Sequence, residues 1–186
     1  MHKYIYIALY KPFGTLCQFT GEAGDKTLSE FGLPEEVYAA GRLDKDSEGL
    51  LLLTNDGIFN QKITNPKSNK EKTYWVQVEN IPSEDSLAKL RSGIRIKDYI
   101  TKKSKVTIIE APLIPQRDPP IRQRKSIPTC WLELTITEGK NRQVRRMTAA
   151  IGHPTLRLIR SQIGKLTLET LQPGKWREVT QQEILK

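Results

Sequence analysis

Asp44, Asp46, Glu48 and Asp56 crowd the stretch GRLDKDSEGLLLLTNDG, residues 41–57, in a chain that is otherwise strongly basic. Carboxylates at such density can ligate a metal, solvate a turn, or act as general acid, base or nucleophile. A calcium loop fits poorly. Asp44, Asp46 and Glu48 fall on its first ligand positions, but Asn55 stands where a bidentate Glu must close the loop. A phosphate-cradling loop fails too, because no Gly-Lys-Ser/Thr follows Gly41 at the needed spacing. Asp46, Glu48 and Asp56 read as a solvated turn and a strand-ending loop. Asp44 differs: it follows Gly-Arg-Leu, and Gly49 permits a tight turn before the leucines. A carboxylate at the edge of a rigid, buried strand is well placed for chemistry.

The elements that must hold it follow from pattern. Residues 4–10 read as a strand rich in Ile and Tyr, ended by the KPFG turn. Residues 50–54 read as a buried strand closed by Asn-Asp-Gly, with a short helix over 58–64. YWVQV at 74–78 and WLELTIT at 131–137 alternate as strands, and 106–109 is another. SEDSLAKL at 83–90 reads as a helix capped by Ser83. The stripe Val144, Met147 and Ile151 marks a helix over 141–151, with Arg142, Arg145 and Arg146 off the stripe. Strands are expected over 156–159 and 166–168, and the Pro- and Arg-rich segment 113–128 is irregular. Strands in runs with inserted helices, and no βαβ alternation, predict an α+β fold with a mixed, mainly antiparallel central sheet flanked by helices and loops.

Net charge is +9 over 186 residues. Residues 115–160 alone hold ten cations against three anions, and Arg outnumbers Lys among those cations by eight to two. Such a region is the electrostatic footprint of a protein that meets nucleic acid, and Arg both grips phosphate and stacks on bases. No apolar run nears the roughly 18 residues of a membrane helix, and the N-terminus lacks the organisation of a signal peptide. The expectation is a cytosolic protein without a membrane partner. Two Cys and two His make neither a disulfide framework nor a zinc set. Nothing demands more than a monomer.

The stretch GRLDKDSEGLLLLTNDG resembles the GRLD-centred motif of pseudouridine synthases of the RsuA-like family, which modify ribosomal RNA at single sites. KTYWVQV at 72–78 is similar to that family's Lys-x-Tyr strand, and EGKNRQVRRM at 138–147 to its basic motif. KPFGTLCQFT, RKSIPT, GHPTLRLIRSQIG and GKWREV extend the match along almost the whole chain. The resemblance implies one catalytic domain over residues 1–186, without the N-terminal S4 domain of many relatives, and an active-site cleft between two lobes. It implies 23S ribosomal RNA of the large subunit, naked or in a pre-ribosomal particle, as substrate. It assigns Asp44 as the catalytic residue, Tyr74 as the active-site aromatic, Arg145 as the basic partner of Asp44 and Val144 as the aliphatic support of the base.

Pseudouridine formation breaks the N1–C1′ bond of a uridine, turns the base and rejoins it through C5. Nothing is oxidised or reduced, so neither a cofactor nor a metal is expected. The base must leave its stack, at a cost of a few kcal/mol. Stacking on Tyr74 would return about 1–3 kcal/mol. A guanidinium at Arg145 would keep Asp44 ionised. Whether Asp44 attacks C1′, adds to the ring or removes the 2′ proton is left open by the residues. Arg42, two residues before Asp44, is expected to contact RNA beside the flipped nucleotide. Arg122, Arg124, Lys125, Lys140, Arg142 and Arg146 are candidates for phosphate contacts, which fix register without reading sequence. The rival reading is a non-catalytic RNA-binding or ribosome-assembly module on the same fold.

Overall fold

The computed structural model describes residues 4–121, 124 and 126–185. In chain order its elements are β1 (Tyr6–Lys11), β2 (Tyr38–Ala39), β3 (Glu48–Thr54), α1 (Gly57–Thr64), β4 (Lys72–Glu79), α2 (Glu84–Ser92), β5 (Arg95–Ile96), β6 (Tyr99–Ile100), β7 (Lys105–Ile109), β8 (Thr129–Ile136), α3 (Gln143–Ala150), β9 (Thr155–Ile163), β10 (Leu166–Thr167), β11 (Trp176–Glu178) and α4 (Gln181–Leu185). They fall into two compact units, Met1–Lys70 with Arg160–Lys186, and Glu71–Ile159. The class is α+β with a mixed, mainly antiparallel sheet, as the pattern predicts.

In the first unit the strand order is β11, β1, β3, β9. β1 and β3 pair antiparallel from Tyr6↔Thr54 to Lys11↔Gly49. β11 seals the other edge of β1, from Ile7↔Glu178 to Leu9↔Trp176. Leu50, Leu51, Leu52 and Leu53 are all fully buried, so both faces of β3 are covered. That explains why this strand reads as an unbroken apolar run instead of alternating. Leu51 and Leu53 pack with Ile7, Leu9, Leu28 and Val37 in one core cluster.

In the second unit the order is β9, β4, β8, β7. β4 and β8 pair along their full length, Lys72↔Ile136 to Glu79↔Thr129. Their alternate residues Val76, Val78, Leu132 and Leu134 are buried. α2 starts as its sequence dictates: the Ser83 hydroxyl accepts from Ser86 N at 3.2 Å. α3 begins two residues later than expected. Arg142 takes the left-handed conformation (φ 50°), which a helix interior does not tolerate, so it ends up as the N-cap.

Among the described residues no helix is long and apolar enough to cross a membrane. None of their His, Cys, Asp and Glu side chains form a group of three able to hold a metal.

Candidate active site

In the first unit Asp44 lies on a loop that hands the chain into β3. The loop is tied down at successive residues. Leu43 N donates to Cys17 Sγ at 3.2 Å. Ser47 N donates to Asp44 O at 3.0 Å, closing a tight turn, and Gly14 N donates to Lys45 O at 2.8 Å. Lys45 Nζ forms an ion pair with Asp25 at 2.7 Å. Gly49 enters β3 at φ 101°, a conformation that only glycine adopts cheaply. Arg42 is exposed, Leu43 is buried and Asp44 is half-buried. This run therefore presents an arginine and a carboxylate around one buried anchor.

Beneath the loop sits a residue the sequence did not single out. Lys11 closes β1 and is fully buried. Its ammonium donates to Pro12 O at 3.0 Å, Thr15 O at 2.7 Å and Lys45 O at 3.4 Å. Burial pushes its pKa down from 10.5 to about 8, against the upward pull of Cys17, Glu48 and Asp46; Arg160 adds to the depression.

Two of the remaining acids are not solvated, contrary to expectation. Glu48 is 3% exposed and Asp56 is 5% exposed. Asp56 caps α1, accepting from Phe59 N at 3.0 Å, from the Tyr6 hydroxyl at 2.7 Å and from Gln181 Nε2 at 3.1 Å. The Asn-Asp-Gly signal therefore marks a helix start, because a carboxylate before Gly57 satisfies an orphan N–H of the first turn.

In the second unit Tyr74 lies on β4 opposite Leu134 and is 8% exposed. Val144 (4% exposed) and half-buried Arg145 lie in the first turn of α3. The turn before that helix is rigidly braced. Glu138 Oε1 accepts from Gln143 Nε2 at 2.6 Å and from Lys102 N at 2.8 Å, and Gln143 Oε1 accepts from Lys140 N at 3.0 Å. Lys140 stands over the Tyr99 ring, 5.3 Å from its centroid. Burial, helped by Glu138, raises the Tyr99 hydroxyl pKa. Lys140, Arg142 and Arg124 are exposed, while Arg146 is half-buried and donates to Asn141 Oδ1 at 2.7 Å. Arg122 and Lys125 lie outside the described residues.

The basic segment is not uniformly a surface. Arg157 and Arg160 are about 5% and 4% exposed, respectively. Arg157 donates to Pro115 O at 3.0 Å and Arg160 Nε to Leu50 O at 2.8 Å. These two guanidiniums brace backbone inside the protein and are not part of a solvated cationic face.

Residues 5–150 match the family described as RNA pseudouridylate synthase. The chain belongs to this family. Several of its relatives are named pseudouridine synthases. It is 57% identical over 173 residues to ribosomal large subunit pseudouridine synthase E of Vibrio parahaemolyticus, covering 93% of this chain and 73% of the relative. It is 53% identical to the protein of that name from Xanthomonas campestris, covering 92% and 93%. A crystal structure of a pseudouridylate synthase superposes with TM-score 0.81 at 33% identity, covering 99% of this chain and 74% of that one. The GRLD, Lys-x-Tyr and basic motifs all lie inside the matched residues. Lys11 was not legible because nothing in composition or periodicity marks a strand-ending lysine as buried. The one available signal was its place in KPFGTLCQFT, part of the resemblance near the start of the chain.

Proposed function

We propose that this protein isomerises one specific uridine of 23S ribosomal RNA to pseudouridine, with Asp44 as the catalytic carboxylate. The observation that carries the reading is identity above 50%, over more than nine-tenths of this chain, to relatives named as large subunit pseudouridine synthase E. The target base is flipped from its stack and held by Tyr74 and Val144. Arg145 is the basic residue that serves the reaction. Arg42 contacts the RNA beside the flipped nucleotide. The braced turn with Lys140, Arg142 and Arg146, together with Arg122, Arg124 and Lys125, contacts phosphates. The reaction is an internal transfer, works without a cofactor, and needs one copy of the chain.

The test is a map of pseudouridines in 23S rRNA from cells with and without the gene. Deletion should erase a pseudouridine at one position, and the wild-type gene should restore it. An unchanged map would refute the assignment.

A further inference from the structure

We infer that Lys11 is a positioning residue for Asp44: its buried ammonium holds the loop backbone at Lys45 and so fixes where the neighbouring carboxylate stands. This rests on the reading of Asp44 as the catalytic carboxylate.

Every other buried residue of β1, from Ile7 to Tyr10, is apolar or aromatic, and a hydrophobe at Lys11 would continue that pattern. A charge stands there instead, fully buried. Its hydrogen bonds account for the choice. The three carbonyl oxygens of Pro12, Thr15 and Lys45 surround Nζ. An ammonium has three N–H donors, one for each. A neutral amine has two donors and a lone pair, and the lone pair would face a carbonyl. The arrangement is therefore built for the charged form. Lys45 O, one residue after Asp44, also accepts from Gly14 N at 2.8 Å. Two donors from one short segment thus meet on the carbonyl that follows the carboxylate-bearing residue.

The groups that influence this ammonium are Cys17, Glu48, Asp46 and Arg160, and burial outweighs them all. With a folded pKa near 8 and an ordinary value of 10.5, the unfolded chain binds this proton more tightly. The contribution of Lys11 to stability therefore rises as pH climbs through that window. Loop positioning has the opposite sign, since it needs the proton. Activity should fall above about pH 8 while the fold is not weakened by this group, a divergence that a purely structural lysine would not produce.

The test compares wild type with Lys11→Met, using isomerisation of a 23S rRNA fragment and amide hydrogen exchange at Gly14 and Ser47. Wild-type kcat should decline with a midpoint near pH 8. In Lys11→Met we expect kcat down about tenfold at neutral pH, KM within about threefold, and no inflection at the wild-type midpoint. Exchange at Gly14 and Ser47 should be about tenfold faster in the variant. Wild-type kcat or unchanged exchange in Lys11→Met overturns the inference. Should the variant not fold, a flat wild-type profile overturns it. Should wild type convert no uridine in rRNA, the functional reading falls instead, and the exchange comparison still judges the clamp.

Discussion

Asp44, Glu48 and Asp56 share a side-chain chemistry but not an environment, and environment decides what each can do. Asp56 is spent on structure. Burial alone would raise its pKa, yet the bonds it accepts from Phe59, Tyr6, Ile58 and Gln181 hold it below the usual 3.8. A carboxylate with a depressed folded pKa stabilises the protein above its ordinary titration range, and that stability is lost as pH falls through the folded value. Asp56→Ala removes an N-cap and leaves Tyr6 and Gln181 without their shared acceptor. It should cost about 1–3 kcal/mol in denaturant titration at neutral pH. The loss should shrink in acid, where wild type also has Asp56 protonated and keeps only the weaker bonds a neutral carboxyl accepts. Asp44 was legible in the sequence through the motif around it, since acidity alone did not separate it from its neighbours. The burial of Glu48 was not legible: a glutamate at the start of a strand looks solvated until the strand is known to be covered on both faces.

Elements with a long, clear period were readable. β4, β8 and α2 follow alternation and capping, and their extents differ from expectation by a residue or two. The two-residue strands β5 and β6 are too short to carry a period, and α4 is little longer, whereas β10 falls inside the strand expected over 166–168. β9 runs to Ile163, beyond the strand expected over 156–159, because its buried Arg160 and Ser161 look polar in sequence yet lie inside. At this scale the turn before α3 makes a prediction. Glu138, Gln143 and Lys102 lock its backbone, so the exposed Lys140 and Arg142 are displayed on a rigid support. Lys140→Gln with Arg142→Gln should weaken binding of an rRNA fragment and flatten the dependence of log affinity on log salt by about 0.7 per lost contact. Fluorescence titrations across a salt series would show it. An unchanged slope would remove this turn from the RNA surface.

At the scale of the whole molecule the chain leaves its first unit at Lys70, builds the second, and returns at Arg160. The returning segment completes the first unit: β11 pairs with β1, Trp176 Nε1 donates to Phe31 O at 2.9 Å, and Gln181 reaches Asp56. No local pattern announces such long-range closure, and only the family resemblance spanned it. The charge asymmetry was legible, but its meaning needed the fold, because two of the arginines in the basic segment are buried braces. In the proposed function many cations meet RNA and one carboxylate acts on it. The most direct measurement is conversion of uridine in 23S rRNA by Asp44→Asn, a substitution that keeps size and removes charge. It should form no pseudouridine while RNA affinity stays within about threefold of wild type; conversion at the wild-type rate would contradict the account.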